Sequence, residues 1–253
     1  KMAIQQMLLG AGASTKATYV DDVFSTFLYK GTGSTQSINN GMDVSGDGAM
    51  VWLKKRSGTA KHHYLYDTVR GSGKHINSDL NYPEGDNSAN LASFTSTGFT
   101  VGDGSGVNSS GDNFASWTFR TAPGFFTIKE YTGSGSTQNI SHDLGSVPGL
   151  ILIKNLTDSF HWAVYHRDLG NGKILLLNDI QAAATSSNYW NDTSPTDSVF
   201  TVNSSSSTNA SGKEYIAYIF AHNDGDGTFG ESGDKDIIKC GSYSGSSSSV
   251  VDI

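Results

Sequence analysis

Leu28-Tyr29-Lys30-Gly31-Thr32-Gly33-Ser34-Thr35-Gln36-Ser37-Ile38 returns 102 positions on as Glu130-Tyr131-Thr132-Gly133-Ser134-Gly135-Ser136-Thr137-Gln138-Asn139-Ile140. Two further blocks keep nearly the same offset. Met50-Val51-Trp52-Leu53-Lys54 matches Leu150-Ile151-Leu152-Ile153-Lys154 at 100. Phe99-Thr100-Val101, Asn108, Gly111, Phe114, Trp117 and Phe119 match Phe200-Thr201-Val202, Asn209, Gly212, Tyr215, Tyr218 and Phe220 at 101. A shared period across three blocks is duplication, and its length is about that of one β-sandwich. An array of similar β-units argues for an extended binding or structural protein.

The repeat divides the chain. Residues 1–22 match neither copy, 23–121 form the first, 125–222 the second, and Ala122-Pro123-Gly124 joins them closely enough that the two must touch. Residues 223–253 read as a flexible acidic linker followed by the start of a third copy, carried by the likeness of Ile237-Ile238-Lys239 to Thr127-Ile128-Lys129. On that reading the chain is the N-terminal part of a longer polypeptide. Within the copies, Leu150–Ile153, Lys173–Asn178 and Tyr215–Phe220 are apolar runs of strand length, and Phe114–Phe119 is their alternating counterpart. The fold class is all-β, with tandem antiparallel sandwiches. One helix is expected, near 179–187.

Composition agrees. Thirty Gly against four Pro, with abundant Ser and Thr, suit short strands and many tight turns. A net charge of −7 argues against nucleic acid. A single cysteine, Cys240, excludes an intrachain disulfide framework. No apolar run reaches the roughly 18 residues a spanning helix needs, so no membrane insertion is expected.

Catalytic signatures are missing. There is no His-Glu-x-x-His, no nucleophile elbow and no phosphate loop ending in Gly-Lys-Ser/Thr; Gly71-Ser72-Gly73-Lys74 is followed by His75. The expectation is a non-enzyme with no cofactor and no metal. Asp224-Gly225-Asp226-Gly227, with Glu231, Asp234 and Asp236, is dense enough to weigh as a calcium loop, but the glycine spacing of the helix-flanked motif fails. The best candidates for glycan contact are Trp162, Tyr165, His166 and Trp190, because aromatic rings stack on pyranose faces and imidazoles donate hydrogen bonds. Alternation places Trp162 with Val164 on one strand face, opposite Ala163 and Tyr165, so core packing of Trp162 is the competing reading; for Trp190 it is a structural loop anchor. The stretch 161–167 aligns without gaps on 64–70 of the first copy. In the leader, Ile4, Met7, Leu8 and Leu9 form an apolar cluster suited to anchoring on a partner.

Trp117-Thr118-Phe119-Arg120-Thr121-Ala122-Pro123-Gly124-Phe125-Phe126, His142-Asp143-Leu144-Gly145-Ser146-Val147-Pro148-Gly149, Trp162-Ala163-Val164-Tyr165-His166-Arg167 and Trp190-Asn191-Asp192 resemble a module of tail-fibre and other appendage proteins of marine bacteriophages, including cyanophages. Met2 to Gly10 is similar to the start of such fibres. The resemblance implies lectin-like jelly-roll (concanavalin-like) sandwiches in a virion protein whose N-terminus docks to the particle. Its partners would be other virion proteins, of the tail or portal-adaptor rather than the capsid, with a host cell-surface glycan as a further one. Homo-oligomerisation, as a trimer, is implied too. The resemblance supplies no catalytic or ligand residues.

Overall fold

The computed structural model describes residues 17–46 and 48–245. The first half carries α1 (Val20–Val23), β1 (Phe24–Lys30), β2 (Gln36–Asn39), β3 (Ala49–Lys55), β4 (Tyr64–Asp67), β5 (Lys74–His75), β6 (Gly85–Asp86), β7 (Leu91–Thr95), β8 (Gly98–Val101), α2 (Ser105–Asn108) and β9 (Asn113–Arg120). The second carries β10 (Phe126–Thr132), β11 (Gln138–Ser141), β12 (Pro148–Asn155), β13 (Ala163–His166), β14 (Lys173–Leu176), β15 (Ala184–Thr185), α3 (Ser187–Trp190), β16 (Val199–Val202) and β17 (Glu214–Ala221). The apolar runs named above form strands, that at Lys173–Asn178 only as far as Leu176. The expected helix does not: Asp179 to Ala183 is loop, and the helical turn begins at Ser187. There Ser186 Oγ accepts the Asn188 N–H (3.3 Å) and starts the turn, whereas the Asp179 carboxylate accepts the Ile180 N–H (2.7 Å) and the Gln181 side chain (3.2 Å) in a loop.

The duplication is visible in the pairing. The large sheet of the first half runs β1-β9-β3-β4, and that of the second runs β10-β17-β12-β13 before continuing to β14-β15. Smaller sheets β2-β8-β7 and β11-β16 lie with them, and every ladder is antiparallel. Strand register also corrects the gapless alignment of 161–167. Met50 pairs with Asp67 and Leu150 with His166, so Asp67 is the counterpart of His166 and Tyr66 that of Tyr165.

Alternation along the large sheets feeds three cores. Tyr29, Val51, Leu53, Tyr66 and Phe114 meet Ile38, Phe99 and Val101 of the small first-half sheet. Tyr131, Ile151, Ile153, Tyr165 and Tyr215 meet Ile140 and Phe200 in the second half. The opposite faces pack on each other: Met50 and Leu65 from one sheet, with Phe126, Ile128, Leu152, Trp162, Val164, Ile216, Tyr218 and Phe220 from the other. The central strands of both large sheets are therefore covered on two faces, which is why Leu150–Ile153 reads as a continuous apolar run, although Leu28 at the β1 edge stays exposed.

The repeated Tyr-x-Gly-x-Gly-Ser-Thr-Gln signature is a loop clamp. Tyr29 and Tyr131 donate their hydroxyls to Val107 O (2.7 Å) and Thr208 O (2.6 Å), and each ring stacks 5.2 Å from its neighbour, Phe114 or Tyr215. Asn108 Oδ1 accepts Thr32 N–H and Asn209 Oδ1 accepts Ser134 N–H, while their amide nitrogens donate to Ser34 O and Ser136 O. A β-carbon at Gly31 or Gly133 would strike the carbonyl of Ser109 or Ala210. The most recognisable part of the sequence is thus structural.

Polar groups lock the central seam. The Tyr218 hydroxyl donates to Asp67 Oδ2 (2.7 Å), Arg70 Nε donates to the same carboxylate, and Arg70 Nη1 reaches Glu84 Oε2 (3.2 Å). Burial opposes the Arg70 charge, but Tyr218, Asp67 and Glu84 outweigh it and raise its pKa. Trp162 Nε1 donates to Asn77 O (2.8 Å), and Glu84 N–H to Leu156 O (3.0 Å), so both link the halves. Lys154, fully buried, donates among the described residues to Asn81 O (3.3 Å) and Asn155 O (2.8 Å), and burial pushes its pKa down to about 8.

Residues 223–236 are not a free linker. Phe229 is 2% exposed and inserts into the seam core. Asn223 Oδ1 accepts the N–H groups of Ile237 and Ile238, and Gly230 N–H donates to Thr18 O (2.8 Å). The carboxylates bind their own loop: Asp236 accepts from Gly225 and Gly227, and Asp224 pairs with Lys239 (2.6 Å). The expected third copy shows no strand over the described residues 237–245, because the backbone of Ile237 and Ile238 is engaged by Asn223.

Removing Asp67 strands Arg70 in the seam, so Asp67→Ala should lower the unfolding free energy by about 3–5 kcal/mol. Urea titration checks this, and replacing Asp67 and Arg70 together by apolar residues should cost less. Lys154 sets a pH dependence. Its folded pKa lies below the unfolded value, so the unfolded chain binds the extra proton and stability rises with pH from about 8. Compared with Lys154→Met, the wild type should gain up to about 3 kcal/mol between pH 8 and 10.5, and parallel pH profiles of the two urea midpoints would contradict the assignment.

Candidate functional site

The four glycan candidates do not form a surface. Trp162 is fully buried, with its ring 6.1 Å from Tyr218 in the seam. Trp190 is 2% exposed; its ring meets Tyr165 edge-on at 5.8 Å and its Nε1 donates to Lys173 O (3.0 Å). Neither indole offers a face to a sugar, and the packing readings of both hold. The turn after Trp190 places Asn191 and Asp192 at positive φ (53° and 47°), which Asn and Asp tolerate better than most residues. His166 is half-buried, and its Nδ1 accepts the Asp168 N–H (3.2 Å), closing a turn. Ile4, Met7, Leu8 and Leu9 lie outside the described residues.

Tyr165 is the one candidate at a cleft. Its ring is in the second-half core, but its hydroxyl makes no hydrogen bond to a described residue and borders a depression of about 660 Å³. Burial raises its pKa. Four loops meet there, contributing Ser146, Arg167, Asp197 and His222. The Arg167 backbone is fixed by its N–H to Gly149 O (2.9 Å), and its guanidinium lies 3.9 Å from Asp168 and within electrostatic reach of Asp224. His222 Nδ1 accepts the Cys240 N–H (3.1 Å), so the proton of the neutral ring is on Nε2. The Cys240 thiol donates to Ala221 O (3.5 Å), and burial raises its pKa, which is the reverse of an activated nucleophile.

The cleft therefore offers hydroxyl, guanidinium, imidazole and carboxylate groups to a polar ligand. Ser146, Asp197 and His222 were not marked in the sequence because no spacing joins them; only the folding of four separate loops does. Among the described residues, no group of three or more His, Cys, Asp or Glu side chains is arranged to hold a metal ion. No helix among them is long and apolar enough to cross a membrane.

Comparison with known proteins adds a family. The family model described as a domain of unknown function, DUF7483, matches residues 20–249, so it spans both halves and the segment after them. The chain belongs to this family. No curated protein and no solved structure matches it.

Because Trp162 and Trp190 are core residues, replacing either with alanine should cost about 3–5 kcal/mol of stability. Iodide should quench the half-buried Trp52 and Trp117 and spare the other two. An alanine variant of Trp162 or Trp190 with wild-type stability would return that ring to the surface.

Proposed function

We propose that this chain is a virion structural protein, a phage tail-fibre or appendage subunit attached through its N-terminus and used for host attachment. The observation that carries the reading is the seam. Two duplicated halves share a core of Met50, Leu65, Phe126, Trp162, Tyr218 and Phe220, cross-linked by Asp67, Arg70 and Tyr218. Sheets covered on both faces and joined in this way resist bending and local opening, as a load-bearing appendage requires. We read each half as a jelly-roll, concanavalin-like sandwich, supported by the common strand order and by a core on either side of each large sheet.

The resemblance of Trp117–Phe126, 142–149 and 162–167 to marine phage appendage modules supports the same assignment. The reading is non-enzymatic, places the protein in the virion, and includes self-association as a trimer. The polar cleft around Tyr165 and Arg167 favours a second reading, a carbohydrate-binding adhesin module. A capsid decoration protein is the alternative location.

Purified particles test the proposal. Mass spectrometry should find the chain at a fixed copy number per particle, and gold-labelled antibody should mark the tail rather than the shell. Sedimentation equilibrium of the protein should give three protomers. Absence from particles would overturn the reading, and label on the shell would favour the decoration alternative.

A further inference from the structure

Another depression, a groove of about 470 Å³, crosses the seam. Trp52, His63 and Asp79 line it from the first half, and Leu177, Asn178 and Ile180 from the second. The two walls are equivalent loops. Asp79 Oδ1 accepts the His63 N–H (3.1 Å) as Asn178 Oδ1 accepts the Trp162 N–H (3.0 Å). Register makes His63 the counterpart of Trp162, since Leu53 pairs with Tyr64 and Ile153 with Ala163. We propose that this groove is a binding site for a neutral saccharide, with Trp52 as its apolar platform.

The hydrogen bonds of the lining residues decide what each presents. The Trp52 Nε1–H is already donated to His63 Nδ1 (2.8 Å), so Trp52 offers the groove only the carbon surface of a half-buried ring. Its orientation is fixed by near-perpendicular contacts with His63 (76°) and Trp117 (74°). Accepting at Nδ1 puts the His63 proton on Nε2, a donor without a partner among the described residues. Burial lowers the His63 pKa, which keeps the ring neutral at physiological pH. The bond from Trp162 fixes the Asn178 amide, leaving its Nδ2 free to donate. The Asp79 and Asp179 carboxylates each keep lone pairs for a hydroxyl.

An apolar ring surface flanked by neutral donors and by carboxylate acceptors suits pyranose hydroxyls and their aliphatic face. No lysine or arginine lines the groove, which holds the two carboxylates of Asp79 and Asp179, although Lys54 acts on His63 from beside it. Sulfated, sialylated or uronic-acid sugars are therefore disfavoured. Ile180, fully exposed, and Leu177, 41% exposed, add an apolar rim. The volume lies within the roughly 300–1,000 Å³ of small-ligand sites. The inference rests on the host-attachment reading for its biological setting only. Binding by the purified protein can fail while the chain remains a virion component, and the reverse.

The test is saturation-transfer NMR and tryptophan fluorescence on the full chain, with maltotriose, cellotriose, mannotriose, chitotriose and lactose as neutral probes. Sialyllactose and trigalacturonate are the anionic controls. At least one neutral probe should bind and shift the tryptophan emission, and neither anionic probe should. Asn178→Asp keeps the acceptor for Trp162 and removes the free donor, so it should weaken binding about tenfold, the worth of one hydrogen bond. Ile180→Asp, at an exposed position, should weaken it with an unchanged melting temperature; Trp52→Ala should abolish it. Silence of every neutral probe would overturn the proposal. So would equal binding of the anionic sugars, or binding indifferent to Asn178→Asp and Ile180→Asp.

Discussion

The architecture depends on the burial of one carboxylate. Asp67 lies at the end of a strand that faces the other half, with no exposed surface, and it is held there by Arg70 and by the Tyr218 hydroxyl from across the seam. A buried charge without partners would cost several kcal/mol. The first half therefore presents a surface that is complete only when the second supplies its phenol. The apolar residues around the site give the seam its area, and the polar group gives it a register, because a slip would separate Tyr218 from Asp67. Glu84 extends the lock by salt-bridging Arg70 and donating its backbone N–H to Leu156.

Duplication supplied two similar sheets, and divergence made them complementary. Asp67 and Trp117 of the first half correspond to His166 and Tyr218 of the second. Each half keeps an indole at the seam but takes it from a different strand: Trp52 on β3 and Trp162 just before β13. Like faces would have met with like groups; these meet carboxylate against phenol, and indole N–H against the Asn77 carbonyl. Residues kept identical include those of the loop clamps, Tyr29/Tyr131 and Asn108/Asn209, which work inside each half, and the pair Phe119/Phe220, whose rings meet across the seam at 5.6 Å. The shared clamps hold each sandwich together, and the polar contacts that join the two come from positions where the copies differ.

This division explains what could be read from the sequence. The strands at Leu150, Tyr215 and Phe114, the all-β class and the opposite facing of Trp162 and Tyr165 follow from local periodicity. The mutual packing of the large sheets does not, because an apolar face looks the same whether its cover is a small sheet or a second copy. Trp162 as a sugar platform was the cost of that ambiguity. The acidic stretch at 223–236 read as a linker because its composition is polar, and the contacts that tie it down, Phe229 in the seam core, Asn223 on Ile237 and Ile238, and Gly230 on Thr18, leave no local pattern. The mismatched position of the shared block, Trp52 against Leu152, was visible, but nothing local shows that the indole N–H is donated to His63.

The groove and the seam are one system. Its walls come from both halves, and the Trp162 backbone N–H that orients Asn178 belongs to a residue whose indole reaches across to Asn77. A ligand there would contact both halves and would bind only the joined form, so occupancy would stabilise the joint by mass action. The converse holds as well: any change that loosens Asp67 from Tyr218 reduces the population of the competent groove and with it the apparent affinity. Attachment and stiffness, which a host-binding appendage needs together, would then be served by the same buried contacts.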